Sequence, residues 1–348
     1  MVALDIFESF PKIVHKDQAG FVPKRSIFDQ IRQAQMMIKF AEAEEVNGVI
    51  IALDQEKAYD KIKHDYLWKV LKATGIPEHF IFTIQHLYQD AQTVVFINGE
   101  QSSPFTVTRG VRQGCPLSCL VFDIAIEPLA NLLRNSDLKG FEIPGMTERL
   151  IVGLFADDTT VYLSEDDSIA TLHKILARWT LAVGAKFNEP KTKIIPIGTK
   201  DYRRKVLEQR KINNWDLPLR PGVEVMADGI ALRILGAWLG NDVDDDLTWD
   251  IVIKKVEEKL ERWSRCHPST TGKCLIAQLV VGGQTQFLTK AQGMSRNTET
   301  RLNRILTDFV WEGNPHYSID KETLRKPGTQ EGINLLDVAA RNRAIQIV

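Results

Sequence analysis

"LIVGLFADDTTVYLSE", residues 150–165, sets two adjacent acids inside an otherwise apolar stretch. The runs 150–155 and 161–163 are short and apolar, with a few small polar residues between them. That pattern predicts a β-hairpin with buried strands and an exposed turn. Asp157 and Asp158 at such a turn repel each other, and no Lys or Arg stands close by in the sequence to relieve them. Taken alone, the pair reads equally as a solvated turn, where Asp is a favoured residue, and as a divalent-cation site whose positive charge comes from the ligand. A second acid is needed to separate the two.

Asp54 is that acid. It ends the β-branched run "VNGVIIALD" (46–54), which predicts a buried strand. An acid at a strand exit is often a helix cap or an ion-pair partner, and Asp54 alone carries that reading too. A strand exit and a hairpin turn can share one edge of a sheet, however, so Asp54 and the Asp157–Asp158 pair can converge. Between them in the chain lies "RGVRQGCPLS" (109–118), a basic loop with two glycines that opens a helix, whose free N–H groups favour an anion. Converging carboxylates beside such a loop suit a phosphate-bearing substrate bound through magnesium.

Length and composition set the frame. The 348 residues allow two or three domains, and 44 % hydrophobic with 26 % charged content is ordinary for a globular protein. No run of residues reads as the roughly 18 to 20 apolar positions of a membrane span, and "MVALDIFESFPK" lacks the layout of a signal peptide. We expect no membrane partner and a soluble intracellular protein. Cys115, Cys119, Cys266 and Cys274 show no zinc spacing and read as reduced thiols. A formal charge of −1 gives no overall pull toward nucleic acid. Binding there must rest on local basic groups such as Lys24-Arg25, Arg109, Arg112, Lys191, Lys193 and Arg203-Arg204-Lys205.

Periodicity fills in the rest. Helices are predicted over 26–45, from His64 to the Gly75–Pro77 stop, from Pro116 through about residue 135, and from Ser168 to Gly184. Two further hairpins are predicted, over 93–110 turning at Asn98-Gly99 and over 223–240 turning at Asp228-Gly229. From about residue 246 onward the signals are helical. The expected fold class is α+β, followed by an all-helical region.

At this point the motifs resemble a known family. "ALDQEKAYDKIKHDYLWKVL", "RGVRQGCPLSCLVFDIAIEPL", "FADDTTVYL" and "GAKFNEPKTKII" look like four successive polymerase motifs of reverse transcriptases, most like the non-LTR (LINE-type) retrotransposon group. "DQAGFVPKRSIFDQI" resembles the fingers motif ahead of them, "LRILGAWLG" the primer-grip hairpin, and the helical remainder the thumb. The likeness thus covers nearly the whole chain, in order. It implies a right-hand polymerase: partial fingers over 1–45, a palm with motifs A–D over 46–200, a primer-grip region over 201–245, and a helical thumb and following segment over 246–348.

The resemblance also implies roles. Asp54, Asp157 and Asp158 match the catalytic acids that hold two Mg²⁺ ions, with Mn²⁺ as a substitute. Tyr59 matches the aromatic gate against a ribose 2′-hydroxyl, with a packed core tyrosine as the alternative. Arg112, Gln113 and Gly114 match the loop that contacts the incoming nucleotide and the template. Lys191 matches a lysine that donates a proton to pyrophosphate, and a solvated surface lysine is nearly as good a reading. The implied partners are an RNA template, a DNA primer, dNTPs and other domains of a retroelement polyprotein. The nucleus is a compartment the family allows. The sequence opens close to the fingers motif, so basic fingers residues that grip the triphosphate in the family are not found upstream. On that ground the chain by itself is expected to polymerise poorly, or to be an inactive remnant that at most binds nucleic acid.

Overall fold

The β-branched run after residue 46 forms the central strand of a five-stranded sheet. The computed structural model describes residues 9–312 and 319–347. The chain divides into two compact units, 1–235 and 236–348.

In the first unit the strands are β1 (Gly48–Leu53), β2 (Val152–Phe155), β3 (Asp158–Ser164), β4 (Lys193–Ile197) and β5 (Glu224–Val225), in the order β2-β3-β1-β4-β5. All pairings are antiparallel except β4 with β5. The hairpin around the paired acids is therefore present, with Phe155 opposite Asp158 and Ala156-Asp157 as its turn.

Helices pack on this sheet for reasons legible in their sequences. α1 (Ile27–Ala43) starts at a Ser26–Asp29 capping box and buries the stripe Ile31, Ala34, Met37, Ile38 and Ala41. α2 (His64–Ala73), α3 (Glu78–Tyr88), α4 (Pro116–Arg134) and α5 (Ile169–Val183) share one core with the sheet. Leu67, Ile84, Phe122, Leu129 and Trp179 meet the alternate residues Val49, Ile51 and Leu53 of β1 there. α5 stops at Gly184, whose φ of +82° a residue with a Cβ adopts poorly.

α4 differs from the expectation that no segment is membrane-length. It runs 19 residues with a mean hydropathy of 1.5, although 72 % of that stretch is packed inside the protein. Its two acids, Asp123 and Glu127, are buried in the core instead of marking a polar face.

The hairpin over 93–110 forms as short strand pairs, with Asn98-Gly99 at the tip between Ile97 and Glu100. The third predicted hairpin does not form as expected. Asp228-Gly229 is a turn, but β5 before it runs parallel to β4. Arg203 of α6 (Lys200–Gln209) grips both Asp228 carboxylate oxygens at 3.0 and 3.1 Å, and Lys193 pairs with Glu224 at 2.8 Å. These ion pairs hold the segment against β4 and α6.

The second unit is mainly helical. Its helices are α7 (Asp245–Ser264), α8 (Thr270–Ala277), α9 (Gly283–Gln292), α10 (Arg296–Trp311), α11 (Lys321–Arg325) and α12 (Val338–Ile347). α7, α8, α10 and α12 share a core with Val256, Ala277, Val281, Leu302 and Leu306, and Leu324 of α11 packs in a second cluster with Cys274, Val310 and Leu335. Trp249 is fully buried, whereas Trp263 stays largely exposed.

Candidate active site

The register of the central strands brings the acids together. Leu53 of β1 stands opposite Thr159 of β3, so the next step along both chains sets Asp54 against Asp158. Gln55 Nε2 donates to the Asp157 carbonyl at 3.4 Å, closing the same end of the sheet. The carboxylates influence one another. Burial, with Asp54 nearby, raises the Asp157 pKa above the usual carboxylate range. Asp158 touches solvent, yet the surrounding protein and then Asp157 and Asp54 push its pKa up to about 6.

One cation reaches this cluster. The Asn188 N–H donates to the Asp54 carbonyl at 2.8 Å and draws the 189–191 turn to the exit of β1. Lys191 Nζ then lies 3.7 Å from Asp54 Oδ2.

The basic loop arrives from the other side. Gly110 and Val111 donate their N–H groups to the carbonyls of Ile62 and Tyr59, both at 2.7 Å. A Cβ at Gly110 would sit 2.8 Å from Asp60 Cα, and its φ is +83°, so the close approach needs glycine. Beyond this anchor Arg112, Gln113 and Gly114 are exposed. The Arg112 guanidinium lies over the Tyr88 ring, 5.9 Å from its centre, and Gln113 reaches Asp60 at 3.5 Å.

Six of the eight predicted site residues line one cavity of about 400 Å³: Tyr59, Arg112, Gln113, Gly114, Asp157 and Asp158. Asp54 and Lys191 are not on that wall; they join through the acid cluster. Tyr59 answers to both of its readings. One face stacks on Phe122 of the core at 4.4 Å while the side chain lines the cavity. Burial and a hydrogen bond with Cys119 raise its hydroxyl pKa.

Sequence reasoning missed several neighbours. Phe21, Cys115, Cys119, Phe155 and Ala156 complete the cavity wall. Phe21 lies far away in the sequence, and nothing in "QAGF" by itself shows that it reaches the acid hairpin. Asp123 lies inside the helix that opens at Pro116 and carries no sequence signal of its own. It is fully buried, neither carboxylate oxygen has a hydrogen-bond partner among the described residues, and burial together with Glu127 and Asp157 pushes its pKa up to about 9.

Two of the proposed nucleic-acid contacts are corrected. The Arg25 guanidinium binds the carbonyls of Pro11, Val14, His15 and Gln18. Arg203 is 2 % exposed and pairs with Asp228 and Glu42. Both guanidinium groups are engaged in holding the fold.

Among the described residues no three His, Cys, Asp or Glu side chains stand close enough to cage a metal by themselves. The donor set still fits a hard divalent ion. It is all carboxylate oxygen, and Mg²⁺ characteristically binds through one or two carboxylates plus substrate phosphates and waters. The mutual repulsion of Asp54, Asp157 and Asp158, met by a single lysine at 3.7 Å, is what such an ion relieves.

Comparisons with known proteins give the family of the chain. The family model for reverse transcriptase (RNA-dependent DNA polymerase) matches residues 2–213. A Xenopus laevis protein, the Transposon TX1 uncharacterized 149 kDa protein, is 25 % identical over 315 residues, covering 90 % of this chain and 23 % of that one. The Drosophila melanogaster Pol polyprotein of the type-2 retrotransposable element R2DM is 27 % identical over 176 residues, covering 50 % of this chain and 16 % of its own. The chain thus spans less than a quarter of the length of these relatives. Apo telomerase from Candida tropicalis is similar with a TM-score of 0.44 and 13 % identity, over 90 % of this chain and 48 % of that one.

Proposed function

Since the chain belongs to the reverse transcriptase (RNA-dependent DNA polymerase) family, we propose that it is the polymerase part of a non-LTR retrotransposon protein and adds dNTPs to a DNA primer 3′-hydroxyl along an RNA template. The observation that carries this reading is the single cavity walled by Tyr59, the Arg112–Gly114 loop and the Asp157–Asp158 turn. Residues 46–200 serve as palm, 1–45 as part of the fingers, 201–245 as primer grip and 246–348 as thumb and following segment.

Asp54, Asp157 and Asp158 would hold two Mg²⁺ ions, or Mn²⁺, which supply activation of the primer hydroxyl and charge neutralisation at the leaving pyrophosphate. The protein's own groups do the rest. Arg112 supplies a positive charge and Gln113 an amide beside the nucleotide, on a loop that glycine holds against the Tyr59 turn. Tyr59 occupies the wall where a 2′-hydroxyl would extend, kept in place by Phe122. Lys191, 3.7 Å from Asp54, would protonate the departing pyrophosphate. An inactive remnant is not favoured by any residue here, because all three acids and the gate are present.

Primer extension on an RNA template, with dNTPs set against NTPs, tests the reading. Incorporation of dNTPs, however slow in this chain by itself, that Asp157→Asn abolishes is the expected result; incorporation that survives Asp157→Asn overturns it.

A further inference from the structure

The segment Asp17–Gly20 runs beside β2 and joins it through one parallel bridge, Gln18 to Leu154. Leu154 donates its N–H to the Asp17 carbonyl and accepts from the Ala19 N–H, both at 2.8 Å. Between these two bonds the Gln18 side chain turns inward and is completely buried. Its Oε1 accepts from the Ala156 N–H at 2.9 Å and from the Gly20 N–H at 2.7 Å. Its Nε2 donates to the Ala156 carbonyl at 3.4 Å. One amide therefore satisfies both backbone groups of the residue before Asp157.

Ala156 is an unusual residue to clamp. Its φ is +53°, in the left-handed region that residues with a Cβ seldom adopt. Such a conformation persists only where the surroundings impose it. Binding the N–H and the C=O together needs a donor and an acceptor on one rigid group, which the amide supplies without a change of protonation. Gly20 allows the contact, since a Cβ there would lie 2.3 Å from the Ala156 nitrogen.

We infer that Gln18 is a positioning residue for the acid pair: it fixes the Ala156 backbone and so aims the Asp157 and Asp158 carboxylates at the ions they hold. The inference rests on the metal role proposed above. Partners one shell out from a metal typically change its affinity about 10- to 100-fold when removed.

The test is Mn²⁺ titration of the full chain, followed by the electron paramagnetic resonance of free Mn²⁺ and expressed per folded molecule. Gln18→Met keeps length and loses both hydrogen-bonding groups. Gly20→Ala leaves the amide intact and pushes the Ala156 backbone away, so it tests the same clamp if the first variant folds poorly. Both are expected to weaken Mn²⁺ binding about 10-fold or more, with Asp157→Asn as the reference for loss. Wild-type protein without Asp157-dependent Mn²⁺ binding overturns the metal reading and this inference with it. Asp157-dependent binding that the folded Gln18 and Gly20 variants leave unchanged overturns the inference alone.

Discussion

The Tyr59 ring lies face to face on Phe122, with centroids 4.4 Å apart and planes within 2° of parallel. If Tyr59 is the sugar gate proposed above, this stacking is the contact that holds it in place. Tyr59→Val is expected to raise ribonucleotide use relative to dNTP use by about 10-fold or more, the scale on which pocket contacts discriminate. Phe122→Leu, which removes the flat support and leaves the gate in place, should move the ratio in the same direction by less. Steady-state incorporation of matched dNTP and NTP pairs reads both. A folded Tyr59→Val protein with an unchanged ratio would leave Tyr59 as a core residue only, with a stability loss of up to about 3 to 5 kcal/mol as its sole effect.

The basic residues separate into two groups with opposite expected behaviour. Arg112 is exposed at the cavity, whereas Arg25 is bound to four backbone carbonyls. Each phosphate neutralised contributes a slope of about one in log affinity against log salt. Arg112→Ala should therefore weaken primer–template binding and reduce that slope by about one. Arg25→Ala should lower the melting temperature and leave the slope of the folded protein unchanged. Fluorescence anisotropy across a salt series distinguishes them, and a reduced slope for Arg25→Ala would contradict the structural assignment.

The elements set by local chemistry were legible in the sequence, and those set by distant partners were not. The hairpin at 150–165, the strand ending at Asp54 and the Pro116 helix follow from alternation, β-branching and a helix-opening proline, and they appear within a few residues of expectation. The common cavity of Tyr59, Arg112 and Asp157 could only be guessed through family likeness, because three separate chain segments make it. The failed hairpin at 223–240 shows the limit. Asp228-Gly229 is a sound turn signal, but Arg203 captures that Asp and β4 captures β5. Arg25 and Arg203 misled for a related cause: charge is visible in a sequence, and burial of a guanidinium among carbonyls is not. The role of Gln18 is not legible from its own surroundings in the sequence, since it lies in contacts with Ala156, 138 residues away.

Lys191 tests whether proximity to the acids serves chemistry or only charge balance. Its amine is 3.7 Å from Asp54 and largely exposed. As a general acid, its removal should cost about 10²- to 10⁴-fold in the rate of a proton-limited step. Lys191→Met is expected to lower the single-turnover rate with little change in dNTP affinity, and to reduce the solvent deuterium effect on that rate. As a mere counter-ion to Asp54 it would change apparent metal affinity and leave the isotope effect alone. Rapid-quench incorporation in H₂O and D₂O decides between the two.

Asp123 supplies the sharpest test of the buried interior. It is fully buried, both its oxygens lack hydrogen-bond partners among the described residues, and burial pushes its pKa up to about 9, against about 3.9 for an unfolded aspartate. Between these two values the folded chain keeps a proton that the unfolded chain has released. The contribution of Asp123 to stability is therefore fully present at acid pH and is lost as pH rises through this window, by at most about 1.4 kcal/mol per pH unit. Asp123→Asn keeps the shape and cannot ionise. The variant is expected to gain on the wild type steadily from pH 5 to pH 8, by a few kcal/mol in total if the proton stays on throughout. Urea unfolding in the presence of a chelator measures this, because a bound cation would otherwise alter the field from Asp157. Arg25 faces Asp123 and opposes the shift, while Glu127 and Asp157 reinforce it. Arg25→Met should therefore steepen the wild-type pH dependence at the upper end of the window. Parallel stability curves for wild type and Asp123→Asn would mean that the carboxyl ionises at its ordinary pKa and that the interior around α4 is open to water.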